Sequence, residues 1–273
     1  MPAPNAISPD KLARLIGTAR APVILDVRSD EDFAADPRLL PGALRVDDRA
    51  LADVPPLAAG PTVVLCQAGH HRSQGAAAWL RAERRPAEYL EGGFAAWREA
   101  GLPLISPAAL PSRDAQGRTV WVTRARPKID RIACPWLIRR FVDPRAVILF
   151  VAPSEVEGVA ERHNAAPFDI EGAFFSHRGE LCSFDVMLIK FGLSLPALDR
   201  LGTIVRGADT AQLDLAPEAA GMLAVSLGLS RIYADDLEQL DAGMLVYDAL
   251  YRWARDATGE THNWPSAKTG AAP

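Results

Sequence analysis

The sequence predicts a first half of α/β class, a parallel sheet flanked by helices, followed by a second, helix-rich domain of α/β or α+β class. Three observations carry that prediction. Short β-branched runs alternate with helical patterns through residues 8–97, as parallel βα units do. From Pro103 to Arg118, three prolines and a glycine fall within 16 residues, a stretch that can continue neither a helix nor a central strand. Beyond residue 183, apolar side chains recur at helical spacing almost to the end. The resulting division is a first domain over 1–104, a linker over 105–118, a second domain over 119–264 and a loose tail over 265–273.

Taken in order, Ser8, Pro9 and Asp10 supply a helix cap and a first-turn proline, and Leu12, Leu15 and Ile16 follow on one face. Val23 to Val27 and Thr62 to Leu65 have the pattern of strands buried on both faces. An Ala-rich helix runs from Gln74 to Arg81. A short strand around Tyr89 and Leu90 leads through Gly92 and Gly93 into a helix at Phe94 to Trp97. In the second half, Thr119 to Thr123 and Ala146 to Val151 are strands, with a helix expected over about 135–142 and Pro135 in its first turn. Helices then follow on Phe184, Met187 and Phe191, on Leu198, Leu201 and Val205, on Met222, Val225 and Leu227, and from Leu237 to Trp253.

Composition narrows the function classes. A chain that is 49% hydrophobic and 23% charged is globular rather than disordered. Three widely spaced cysteines, Cys66, Cys134 and Cys182, exclude a disulfide framework and fit a reducing compartment. No apolar run approaches the roughly 20 residues of a membrane span. Met1 to Asn5 lack the basic start and apolar core of a signal peptide, so a cytoplasmic protein is expected. A net charge of -4 argues against a general polyanion binder. Yet residues 118–145 hold eight basic side chains against Asp130 and Asp143, and residues 209–248 hold eight acids against Arg231. Either these segments pair with each other or face water, or the basic one binds an anion or nucleic acid.

Chemistry concentrates where a buried strand ends at Cys66, a loop with Gly69 follows, and an Ala-rich helix begins after Ser73. Backbone N–H groups in such a loop and in a first helical turn lack intrinsic partners and can converge on an anion. The same field favours Cys66 as a nucleophilic thiolate. Gly69 permits the curl, and Arg72 can clamp the anion bidentately. Cys66 and Arg72 are thus the candidate catalytic pair, and Gln67, Ala68, Gly69, His70, His71 and Ser73 the anion-binding loop. The plainer reading is an inert thiol at a strand end. His70 or His71 could tune the thiolate or bind an oxyanion, or both are ordinary loop residues. Neither has a third zinc ligand nearby in sequence.

Over about residues 5–104 these motifs resemble the rhodanese domain family: Asp26-Val27-Arg28 after the first core strand, Leu40 to Leu44, the Cys66 loop, and Glu91 to Phe94 with Trp97. The resemblance implies a persulfide on Cys66, formed from a donor such as thiosulfate and passed to a nucleophilic acceptor, with Asp26 and Arg28 organising the domain. One departure stands out. Many small rhodaneses count six residues in this loop, whereas Cys66 to Arg72 counts seven, as in the related dual-specificity phosphatases and arsenate reductases of that type. A wider cradle suits a tetrahedral oxyanion. A phosphatase also needs a general acid, for which Asp30, Glu31 and Asp32 are candidates.

In the second domain, Trp136, Leu137 and Phe141 give one segment an apolar side, with Arg139 and Arg140 directed to water or an anion. Cys134, just before Pro135, is either a buried small side chain or an active thiol. His177 and Cys182 lie five residues apart around Gly179, so a turn could bring them together. With Asp169, Glu171 or Asp209 they could hold a transition metal or form an acid–base cluster. A hydrogen-bonded structural role for His177 is the other reading. A transition metal on His177, Cys182 and Asp209 is the one cofactor the sequence suggests. Asp248, on a strongly apolar helix, requires a partner, expected to be Arg131 or Arg206.

This half resembles the C-terminal domain of chromate-resistance proteins of the ChrB type over about residues 119–264. The motifs are Trp121 to Arg124, Asp130 to Phe141, Phe175 to Gly179 with Cys182, and Gly207-Ala208-Asp209. The resemblance implies a part in chromate resistance, with chromate as ligand, substrate or inducer. Asp130, Arg131, Cys134, Arg139, Asp169, His177, Cys182 and Asp209 form the second candidate site.

The expected function is sulfane-sulfur transfer through Cys66 to glutathione, a protein cysteine, or Cys134 or Cys182, associated with chromate resistance. The alternatives are a chromate- or oxyanion-responsive regulator whose basic segment contacts DNA, and a thiol-dependent oxyanion reductase. The expected partners are a small sulfur donor or oxyanion and a thiol acceptor, without a membrane.

Overall fold

The computed structural model describes residues 5–49, 51 and 61–260. The tail expected over 265–273 lies outside the described residues. In the first domain β1 (Ala6–Ile7), β2 (Val23–Asp26), β3 (Ala43–Arg45), β4 (Thr62–Leu65) and β5 (Ala87–Leu90) form a parallel sheet in the order β1-β5-β4-β2-β3. Strand alternation sends Ile24, Val63 and Leu65 toward Leu12 of α1 (Pro9–Leu15) and Phe94 and Trp97 of α4 (Gly93–Glu99). Leu25, Val64 and Cys66 pack instead with Ala76, Ala77 and Leu80 of α3 (His71–Ala82). Both faces are covered, which is why the strands read as unbroken apolar runs.

Ser8 caps α1 as expected, its Oγ accepting from the Lys11 N–H. A helix the sequence did not announce, α2 (Asp30–Ala35), is capped by Ser29 and carries three acids in its first turn. It buries no side chain, so no apolar stripe marks it.

In the second domain β6 (Val120–Arg124) lies between β7 (Val147–Val151) and β8 (Ala166–Pro167), all parallel. Val120 and Val122 pack against Val156 of α6 (Val156–His163) on one face. On the other, Trp121 meets the rings of Phe168, Phe175 and Phe191. Beyond that face stand α5 (Asp130–Leu137), α7 (Ser183–Phe191), α8 (Pro196–Asp209), α9 (Ala219–Ile232) and α10 (Asp236–Asp256). The helix expected over 135–142 is corrected. It begins at Asp130, contains Pro135, and continues as a π-helical turn over Ile138–Val142. Pro135 is the sixth residue of the helix rather than part of its first turn, so the Arg131 carbonyl lacks the N–H four residues on that would otherwise bond it.

The two halves share one apolar core. Gly17 lies so close to Phe141 that a Cβ there would stand 2.3 Å from the ring's Cζ and 2.9 Å from Tyr251 Cε1. Gly42 N–H donates to the Phe141 carbonyl at 2.6 Å, and Arg255 donates to the Arg14 carbonyl at 2.9 Å. Ile105 pairs with Leu39 in an antiparallel bridge. Among the described residues, no helix is long and apolar enough to cross a membrane.

Candidate functional site

The central strand β4 delivers Cys66 to the carboxyl edge of the first sheet, and the loop that follows is turned inside out. The carbonyls of Cys66 and Gln67 accept from the N–H groups of Phe94 and Ala95 in the first turn of α4, both at 2.9 Å. Those of Gly69 and His70 accept from the Gln74 side chain and backbone at 2.9 and 3.0 Å. With the carbonyls engaged outward, the backbone N–H groups of Gln67, Ala68, Gly69, His70, His71, Arg72 and Ser73 find no protein acceptor among the described residues. Gly69 adopts φ +70°, and a Cβ on it would stand 2.7 Å from the Leu90 carbonyl oxygen, so the curl requires glycine.

Cys66 is 5% exposed, with its Sγ 3.1 Å from Ser73 Oγ. His70 and His71 are exposed. Arg72 donates from Nε to the Val27 carbonyl at 3.1 Å and from Nη2 to Asp48 at 3.0 Å. Its guanidinium thereby borders a polar cavity also lined by Arg28, Asp30 and Arg45. Asp48 was not foreseen; nothing local in the sequence ties it to Arg72. Of the proposed general acids, Asp30 pairs with Arg45 and Asp32 accepts from Ser29 Oγ at 2.7 Å. Asp26 and Arg28 form a fully buried ion pair, and Arg28 also donates to the carbonyls of Asp36 and Arg38 while lying 3.8 Å from the Phe94 ring centroid.

A second cluster stands at the carboxyl ends of the other sheet. Arg124 ends β6, Asp130 opens α5, Asp169 follows β8, and Asp209 ends α8. His177 Nε2 lies 3.2 Å from Asp169 Oδ1, 3.3 Å from Asp209 Oδ2 and 3.5 Å from Asp130 Oδ2. Asp130 is buried and accepts the Ser183 N–H at the start of α7 at 2.6 Å. Asp169 accepts from Ser183 Oγ at 2.8 Å and pairs with Arg124 and Arg131 at 3.1 and 3.2 Å. Burial pushes the Asp130 carboxyl well above the usual range, and the charges of Asp209 and Asp169 push the same way. Asp209 is raised by burial and by Asp169, against the opposing charge of His177.

Asp130, His177 and Asp209 form a candidate metal-coordinating triad. Cys182 is outside it: the residue is fully buried as the cap of α7, its N–H donating to Asp185 at 3.2 Å. Burial and nearby Asp130 push the thiols of both Cys134 and Cys182 up, away from the thiolate form. Glu171 is exposed, and Arg139 pairs with Asp241 at 3.4 Å rather than with the cluster. Sequence reasoning missed Arg124 and Ser183 as site residues; the position of Arg124 at the end of a buried strand was the available signal.

The expected partners of Asp248 are corrected. It accepts from Trp136 Nε1 at 2.9 Å and is gripped by Arg140 at 2.8 Å through both nitrogens, while Arg206 pairs with Asp185 at 3.1 Å. Arg140 therefore turns to α10 rather than to water. Arg126 likewise reaches Asp236 through its backbone N–H. Arg139 and Arg140 thus pair with acids of the later segment, whereas Arg124 and Arg131 turn to Asp169 and Arg118 to Asp114.

Residues 8–100 match the family described as the rhodanese-like domain, and residues 121–254 that described as the ChrB C-terminal domain. The protein ChrB of Cupriavidus metallidurans is 40% identical over 146 residues, covering 52% of this chain and 43% of that protein. The chain thus spans less than half the length of that relative. A thiosulfate sulfurtransferase from Pseudomonas aeruginosa is similar at 28% identity and a TM-score of 0.31, over 38% of this chain and 19% of that one. A rhodanese-like domain protein from Staphylococcus aureus is similar at 26% identity and a TM-score of 0.30, over 34% of this chain and 90% of that one. The chain is a rhodanese-like domain fused to a domain of the ChrB C-terminal family.

Proposed function

We propose that the protein is a sulfurtransferase that carries sulfane sulfur on Cys66, in the service of chromate resistance. The observation that carries this reading is the run of seven backbone N–H groups, Gln67 to Ser73, that follow Cys66 and find no protein acceptor among the described residues, a run able to form a cup for an anion beside the thiol. Such a cup stabilises a thiolate and holds the anion that the reaction consumes or releases. The Cys66 thiolate attacks the outer sulfur of thiosulfate, the S–S bond breaks, and sulfite leaves with the electron pair. An acceptor thiolate or cyanide then attacks the outer sulfur of the persulfide, and Cys66 departs again as thiolate. Cys134 and Cys182, buried and disfavoured as thiolates, make poor acceptors, so an external thiol is favoured.

The test is a thiosulfate–cyanide assay on the full chain. Turnover by wild type that is lost in Cys66→Ser supports the reading, and no turnover with thiosulfate, persulfides or polysulfides refutes it. The loop length favours one second reading, hydrolysis or reduction of a tetrahedral oxyanion at the same thiol. Cys66-dependent release of phosphate from p-nitrophenyl phosphate, or Cys66-dependent loss of chromate, in place of sulfur transfer would select it.

A further inference from the structure

We propose that the second domain binds one first-row divalent metal ion through Asp130 Oδ2, His177 Nε2 and Asp209 Oδ2, with Arg124 beside its open face. The spacing fits. Ligand atoms around an ion with bonds of about 2.0–2.2 Å stand roughly 3–3.5 Å apart. His177 Nε2 lies 3.5 Å from Asp130 Oδ2 and 3.3 Å from Asp209 Oδ2.

The place in the fold points the same way. From the middle strand β6 the chain passes through α5 to β7 on one side, then through α6 to β8 on the other. In parallel sheets, ligands sit in the crevice beyond the carboxyl ends of the strands where the order reverses. Arg124, Asp130 and Asp169 are the residues that β6, α5 and the segment after β8 bring to that crevice.

Thr123 supplies an independent sign. It is fully buried, and its hydroxyl has no protein partner among the described residues. Strand alternation puts it on the face of Trp121, toward Phe175 and α7, one pleat nearer the carboxyl ends of the strands. A buried hydroxyl without a partner is costly, and a metal-bound water or anion in the crevice above would satisfy it.

Charge fixes the class of ligand. Asp169, whose Oδ1 also lies 3.2 Å from His177 Nε2, is neutralised by Arg124 and Arg131 and held by Ser183, which leaves Asp130 and Asp209 as the carboxylates for an ion beside His177. Two carboxylates and one imidazole suit Mn²⁺, Fe²⁺ or Zn²⁺ better than Ca²⁺, which takes oxygen alone, or copper(I), which takes sulfur. The Ser183 N–H on Asp130 is the kind of outer hydrogen bond that aims a ligand. His177 and Arg124 are each 41% exposed, so the ion has an access path, and its solvent side can take a small oxyanion.

The experiment uses the full chain without an affinity tag, stripped with chelator and titrated calorimetrically with Mn²⁺ and Zn²⁺. One ion per chain is expected, weakened at least about tenfold in His177→Ala and Asp209→Asn and unchanged in Cys66→Ser. Loading wild type with Co²⁺ should give absorption bands of nitrogen and oxygen ligands without a thiolate charge-transfer band. The proposal is overturned by absence of saturable binding, by equal binding in both ligand variants, or by a thiolate band that puts Cys182 or Cys134 in the ligand set. Circular dichroism checks the variants, and where one fails to fold, the wild-type Co²⁺ spectrum decides. Because Cys66 takes no part, failure here is distinct from failure of sulfur transfer.

Discussion

Gly93 and Cys66 are packed so closely that a Cβ on Gly93 would stand 2.2 Å from the Cys66 carbonyl oxygen and 2.5 Å from Gly69 N. Gly93 also has φ +60°. Gly93→Ala therefore pushes the loop off α4 and strains its own backbone. The expected cost is about 1–3 kcal/mol of stability, together with loss of sulfur transfer in excess of any loss of folded protein. Denaturant melts and the thiosulfate–cyanide assay on the same sample check it; full activity in the variant would mean the cup does not matter.

Ser73 is fully buried, and its hydroxyl lies between Cys66 Sγ and the His70 carbonyl. Ser73→Ala removes that buried hydroxyl's contacts and should cost about 1 kcal/mol of stability, read as a lowered urea midpoint. An unchanged midpoint would mean that the hydroxyl adds nothing to the fold.

Breaking the Asp26–Arg28 pair should be severe, because Asp26→Asn leaves a buried guanidinium uncompensated. A loss of about 3–5 kcal/mol is expected, read as a lowered urea midpoint. Arg28→Lys should also destabilise, since an ammonium cannot reproduce the fork that reaches Asp26 and the carbonyls of Asp36 and Arg38.

Acid stability should depend on Asp36. Hydrogen bonds from Arg38, aided by the charges of Arg38 and Arg98, pull its carboxyl down to about 2. A group depressed below its unfolded value of about 3.9 stabilises the fold above that pH and loses the contribution as pH falls toward the folded value. The melting-temperature gap between wild type and Asp36→Asn should therefore be full at about pH 5 and shrink between about pH 4 and pH 2. A gap that does not vary with pH would dismiss the carboxylate as its cause.

The first site was legible because its signals are local. A β-branched run, a cysteine and a glycine within eight residues, Thr62 to Gly69, encode strand, nucleophile and curl, whereas the helix begins at His71, before the serine expected to precede it. Helix α2 was hidden because it buries nothing, and β1 and β8, at two residues each, are too short to show a period. The second site was half legible. Its ligand-type side chains stood out, but Asp130 meets Ser183 across 53 residues, a pairing no local pattern encodes. Cys182 looked like a ligand by chemistry, yet its position as a helix cap buries it. Thr123 gave no signal at all, since threonine is ordinary in strands.

The contact of Gly17 with Phe141 has a consequence for how the molecule is handled. The two families meet in this chain without a seam: severing it within 105–118 would leave an aromatic scar on one fragment and an empty socket on the other. Heat or denaturant should melt both halves in a single cooperative step, and fragments expressed apart should clump where the intact chain stays dispersed.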